Sequence, residues 1–216
     1  MIEDLLRLRF PADYAFDAAN VTVPLSVQSK SFALSDEKAC TACKGNRRGR
    51  EECNEETLRV ELAPGEAVTV VNFEEYLGQF GNKLDKYKMQ RCDYLILDDS
   101  DSHRKFAFCD LTCSDQKYVD GPTGKRAEVV KQMKSSLESM LKVDVLNHYI
   151  LTFRDKVFLF GWREFAIPRM ALRRNDPLSS ISAFCKTPSA ESGTLEYAPH
   201  KGFAFIQVKY PAGYRW

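Results

Sequence analysis

The chain has 216 residues, 44% of them hydrophobic and 12% aromatic, and a formal net charge of +1. That is material for one well-buried domain, and the near-neutral balance gives no global attraction to nucleic acid, although a local basic face is compatible with it. No window approaches eighteen uninterrupted apolar residues, so no membrane span is expected, and MIEDLLRLRFPADYAF carries acids and bases throughout, unlike a secretory signal.

Seven cysteines, an odd number, without such a signal point to thiols in a reducing compartment rather than a disulfide framework. The expectation is a cytoplasmic globular protein with no membrane association. No internal repeat or low-complexity tract divides the chain, so 1–216 is read as a single domain.

In chain order, the first third reads as β-rich. VTVPLSV, SKSFALS and TLRVELAPG have the alternation or β-branching of strands. Residues 1–66 form a β-rich elaboration whose loop 36–55, polar and cysteine-bearing, is read as the tip of a long hairpin. A core over 67–165 follows. It opens on NFEEYLGQFGNKLDKY, where Phe73, Leu77, Phe80 and Leu84 keep helical spacing behind an Asn72 N-cap, with Gly78 and Gly81 shortening the helix. CDYLILDD, the polar turn DSDSHR and KFAFCDLTC then make a hairpin. KRAEVVKQMKSSLESMLK is the clearest helix, with Val130, Met133, Leu137, Met140 and Leu141 as its apolar stripe. DVLNHYILTF and DKVFLFGWREF read as further strands, and 166–216 as a β-containing C-terminal elaboration. The class predicted is α/β (α+β), a mixed sheet flanked by helices.

Two carboxylates interrupt the hairpin. Asp93 opens its first strand and Asp110 lies near the end of the second, which in an antiparallel pair brings them together. Alternation puts Phe106, Phe108, Asp110 and Thr112 on one face. Two acids a few ångströms apart repel and resist burial, and a divalent cation removes that penalty. Hard oxygen ligands suit Mg2+ or Mn2+. The alternative is structural: Asp93 caps a strand start and Asp110 receives a base such as Arg91.

An aspartate leading a hydrophobic strand, a short turn, an acid followed two residues later by lysine, then a helix and a strand is a layout that RCDYLILDD, KFAFCDLTC, the helix over 124–142 and DKVFLFGW resemble. It is that of the PD-(D/E)XK, or restriction-endonuclease-like, nucleases, and the likeness covers roughly half the chain. The resemblance implies that Asp93 and Asp110 hold the metal, with Glu74 or Glu75 on the preceding helix as a further ligand. It also implies a site role for Gln132. The departure is Thr112, which stands where the family carries its lysine and brings no positive charge. Losing one preorganised donor costs about 10²–10³ in rate. Lys131 and Lys125 on the following helix and Lys117 before it are the cations that could take over, and an ordinary solvated lysine is the alternative for each.

CTACKGNRRGREEC places Cys40, Cys43 and Cys53 as three ligands of a Zn2+ site, with Cys113, His103 or a partner as the fourth, or else it is an exposed loop with ordinary thiols. Cys92, Cys109 and Cys185 read as small core residues, and His148 as a core residue of an apolar strand. Arg47, Arg48 and Arg50 with Lys44, and Arg173 and Arg174 with Arg169, are candidate phosphate contacts. Tyr210, Tyr214 and Trp216 could stack on unpaired bases, or pack on the core. Three functions follow: a divalent-metal-dependent nuclease acting on DNA or RNA; a nuclease-like fold without catalysis that binds nucleic acid or a protein; and an unrelated α/β interaction protein. The partners expected are nucleic acid, a protein or a second copy.

Overall fold

The computed structural model describes residues 1–35, 56–114, 119, 124–163, 192–193 and 201–216. It is a mixed α/β protein built on a seven-stranded sheet in the order β1 (Leu25–Gln28), β4 (Val68–Asn72), β5 (Tyr94–Leu97), β6 (Lys105–Cys113), β7 (Asp155–Arg163), β9 (Phe203–Lys209) and β8 (Ser192–Gly193). The strands from β1 to β6 pair antiparallel, whereas β6, β7 and β9 run parallel and β8 returns antiparallel. A second sheet orders β10 (Gly213–Arg215), β3 (Glu56–Glu61) and β2 (Phe32–Ser35). It joins the N-terminal third to the C-terminal end, since β10 pairs parallel with β3. No helix among the described residues is long and apolar enough to cross a membrane.

Strand β6 shows why the layers stack as they do. Phe106 and Phe108 enter the core shared with the helices, while Ala107, Cys109 and Leu111 enter the core shared with Leu58 and Val60 of β3. A strand covered on both faces is apolar almost throughout, and here the alternation separates two cores. On the helical face, Phe106, Phe108, Phe158 and Phe203 are in ring contact, with Phe108–Phe203 centroids 5.6 Å apart. Each buried aromatic contributes about 1.5–3 kcal/mol.

The helices cover that face. α3 (Phe73–Gly78) starts where β4 ends, and Asn72 caps it: its side chain accepts from the Glu75 N–H at 3.0 Å and donates to the Glu75 carboxylate at 3.1 Å. Asn72→Ala is expected to cost about 0.5–2 kcal/mol, read as a lowered melting temperature. A 3₁₀ segment, Gly81–Tyr87, follows, and then α4 (Lys125–Leu141) crosses from β6 to β7. Val130, Met133, Leu137 and Met140 of α4 are buried, as their spacing predicts.

Elsewhere tertiary context changed the reading. The β-rich first third opens on a helical segment, α1 (Ile2–Asp4), a π-helical Leu5–Arg9 and α2 (Phe10–Asp13), whose Ile2, Leu6 and Phe10 are buried every fourth residue. Of VTVPLSV only Leu25, Ser26 and Val27 enter β1, and VTVVN forms the further strand β4. DVLNHYILTF is not a strand but α5 (Asp144–Leu151). Its Leu146, Tyr149 and Ile150 are buried at helical spacing, whereas Val145 is exposed. His148 is accordingly exposed, its Nδ1 2.7 Å from the Asp144 carbonyl, rather than a core strand residue.

The tight β5–β6 turn is organised by Asp98. Burial would raise its carboxyl, but hydrogen bonds from the Ser100 and Ser102 hydroxyls and from the Arg104 and Ser100 N–H groups overcome this and bring it down to about 2. A depressed carboxyl stabilises the fold above its ordinary value of 3.8 and loses that contribution as pH falls toward about 2. Acid titration of the wild type should therefore show a stability loss in that window that an Asp98→Asn variant lacks.

Candidate functional site

The carboxyl ends of β4 and β6 and the start of β5 meet beneath the first two turns of α4, and between them lies a cavity of about 400 Å³. Asp93, Asp110, Thr112, Glu74, Lys125 and Gln132 are among the residues that wall it. The positions follow from the register. Leu97 pairs with Phe106 and Leu95 with Phe108 on the helical face; continuing the ladder sets Asp93 opposite Asp110 on that same face. Thr112 is the next residue of β6 on that side.

Asp93 is held at both ends. Its carbonyl accepts the Phe73 and Glu74 N–H groups of α3 at 2.8 and 3.1 Å, and its Oδ2 accepts the Leu111 N–H at 2.7 Å. The segment leading into it is anchored to α4, where the Ser135 and Ser136 hydroxyls accept the Gln90 and Cys92 N–H groups, each at 2.9 Å. Asp110 and Thr112 are buried, at 5% and 4% exposure. Burial pushes the thiols of Cys92 and Cys109 well up, and the nearby Asp93 and Asp110 carboxylates push the same way. Those thiols stay protonated and are excluded as nucleophiles.

Of the other residues the sequence brought forward, Glu74 faces the cavity whereas Glu75 is turned to Asn72. Lys125 lies on the wall with its Nζ 2.7 Å from Glu128 Oε2, and Gln132 lies two turns further along the same face of α4. Lys131 is exposed and is not on the wall. Arg91, the base that the structural alternative pairs with Asp110, lines the same cavity. Glu128 was not singled out from sequence; its place three residues after Lys125, at the start of α4, was the available signal.

Tyr214 and Trp216 are buried in the core between the sheets, where Lys105 Nζ sits 5.1 Å from each ring centroid, so they are packing residues and not stacking platforms. Tyr210 is half-buried with the Arg163 guanidinium 4.4 Å over its ring. Cys113 is buried at the end of β6, and His103 is bound to the Thr152 hydroxyl in the β5–β6 turn. Cys40, Cys43, Cys53, Lys44, Arg47, Arg48, Arg50, Lys117, Arg169, Arg173, Arg174 and Cys185 lie outside the described residues.

Among the described residues, no three His, Cys, Asp or Glu side chains are grouped so as to hold a metal ion. Among those residues the cavity therefore offers no cage built wholly of protein ligands. It is compatible with Mg2+, which is usually bound through one or two carboxylates and keeps several waters and substrate oxygens. Two aspartates and a threonine lining one cavity are a hard-oxygen donor set of that kind.

No protein-family profile matches this chain, nor does any curated protein or any solved structure. What the geometry defines is therefore a class: a mixed α/β protein with a carboxylate cavity where its antiparallel hairpin meets its parallel crossover.

Proposed function

We propose that the chain is a divalent-metal-dependent phosphodiester hydrolase acting on nucleic acid, with a site of the PD-(D/E)XK type. The observation that carries the reading is that Asp93, one residue before β5, and Asp110 of β6 converge on the wall of one open cavity. The order hairpin, crossover helix, parallel strand, which the resemblance requires, also supports it.

Asp93 and Asp110 would hold Mg2+ or Mn2+, with Glu74 at the rim. The ion supplies positive charge that acidifies water and stabilises charge developing on a phosphodiester. The chain's own residues then divide the remaining work. α3 fixes the Asp93 backbone and the Leu111 N–H fixes its carboxylate, so its geometry is preorganised. The Thr112 hydroxyl can donate a hydrogen bond but brings no charge. Lys125, on the α4 side of the cavity, supplies the cation that Thr112 does not, and Gln132 is a donor two turns further along the helix.

The test is cleavage of single- and double-stranded DNA and RNA with Mg2+ and with Mn2+. Asp110→Ala should abolish activity, and Lys125→Ala should lower it by about 10²–10³. Lys131→Ala should leave it unchanged. Wild-type activity equal to that of Asp110→Ala would overturn the enzyme reading.

Thr112 and the Lys125–Glu128 pair favour a second reading, a nuclease-like fold that binds nucleic acid without cutting it. Metal-dependent binding with no cleavage of any of the four substrates would select it.

A further inference from the structure

The carboxylate cavity has an apolar neighbour. A groove of about 340 Å³ runs beside it, with Leu25 of β1, Phe32 and Leu34 of β2, Val70 of β4 and Tyr94 of β5 along its walls. Asn72 and Tyr94 wall both spaces, and β2 runs from one into the other: Phe32 and Leu34 line the groove, while Ser35 lines the carboxylate cavity. The groove lies between β1 and β2, which stand at the edges of their two sheets. Phe32, Leu34 and Tyr94 are only partly buried, so an aromatic and aliphatic surface is open to a ligand, with Gln28 beside it.

We propose that this groove receives the base of an unpaired nucleotide whose phosphate lies at the Asp93–Asp110 cavity, making the chain selective for single-stranded or locally unpaired nucleic acid. The inference rests on the phosphodiester reading above and names its substrate class. Continuity selects the occupant. A ligand spanning both spaces must be anionic where carboxylates and a cation meet, and flat and apolar one residue further along β2. A nucleotide has that division between phosphate and base. Bases stack on aromatic side chains in a sequence-tolerant way, because every base presents a π-face. In a duplex both faces of each base are already stacked, so entry into the groove requires a strand that is unpaired or has an extruded base. Gln28 brings an amide group that can meet the edge of the base, whereas the Asn72 amide is taken up by its cap.

The experiment is a fluorescence-anisotropy titration with Mg2+, in the cold, of a labelled oligothymidylate, the same strand with one abasic site, and a duplex; each strand is checked for intactness afterwards. The wild type should bind the single strand more tightly than the duplex. Phe32→Leu keeps apolar volume and removes the ring face. It should weaken single-strand binding about 5- to 150-fold while leaving duplex binding and the melting temperature nearly unchanged. Phe32→Tyr should restore binding. Equal affinity of wild type and Phe32→Leu for the single strand, or equal loss on single strand and duplex, would overturn the groove assignment while the phosphodiester reading survives on its cleavage assay. Self-association of the wild type that Phe32→Leu abolishes, with nucleotide binding intact, would assign the groove to a second copy and overturn it too. If no nucleic acid is bound or cut, the underlying reading falls and this inference with it.

Discussion

Asp110→Asn is expected to separate stability from function in opposite directions. Asp110 is buried at 5% exposure, and continuing the β5–β6 register by one residue sets it opposite Asp93 on the same cavity wall. Like charges directly opposite in a sheet are destabilising by up to about 1 kcal/mol, and an amide of the same shape removes one of them. The metal-free variant should therefore melt no lower than the wild type, and higher by up to about 2–4 °C in a chain of this size. The same change removes a metal ligand. Affinity for Mn2+, measured by titration calorimetry, should fall at least about 10–100-fold, since even partners behind a ligand cost that much. Nucleic-acid cleavage should fall at least about 10²–10³-fold.

Thermal melts with Mg2+ tie the two halves together. Ligand that binds only the native state stabilises it by RT ln(1 + [L]/Kd), about 2.7 kcal/mol at one hundred times Kd. Mg2+ should raise the melting temperature of the wild type and leave that of Asp110→Asn in place. A variant that binds Mn2+ and cleaves as the wild type does would remove Asp110 from the site.

The second large effect concerns Gly161, far from chemistry. It lies on β7 between Leu111 of β6 and Val208 of β9, on the face that meets the small sheet. A Cβ there would stand 2.6 Å from Leu111 Cδ2 and 2.8 Å from Leu58 Cβ. The leucine methyl can rotate away, but the Leu58 Cβ is attached to the β3 backbone, so relief requires the small sheet to shift. Overpacking of this kind costs about 1–3 kcal/mol. Gly161→Val should lower the melting temperature by roughly 2–4 °C for each kcal/mol lost. Adding Leu111→Ala to Gly161→Val should recover part of the loss, with a coupling of about 0.5–3 kcal/mol. A Gly161→Val protein that melts like the wild type would mean that the two sheets are less closely packed there than the structure shows.

Much of the core was legible in the sequence because its signals were local. KFAFCDLTC is a strand over the whole of its length, and the helix of α4 spans Lys125–Leu141 with the stripe its spacing predicts. Asn72 caps α3 because a short amide ahead of a run of apolar and acidic residues satisfies free N–H groups at a helix start. These are decisions taken within a few residues of chain. The segments misread were those in which local preference and burial disagree. DVLNHYILTF is rich in β-branched and aromatic residues, yet its burial follows positions 146, 149 and 150, and packing against the sheet overrode propensity. VTVVN is too short to be told from any other apolar run without its partners β1 and β5.

By itself the sequence determined that two acids stand at corresponding ends of a hairpin, with a threonine two residues beyond the second. That follows from alternation and from antiparallel pairing alone. Only the tertiary structure decided what surrounds them. It turned Glu75 to its cap and Glu74 to the cavity, because a helix directs successive side chains about 100° apart. It put Lys125 and Gln132 on the wall and left Lys131 outside, for the same reason. It also buried Tyr214 and Trp216 against β3 and opened Phe32 and Tyr94 beside the carboxylates. Which aromatic rings are core and which are surface depends on contacts between residues more than a hundred positions apart, and no local pattern carries that information.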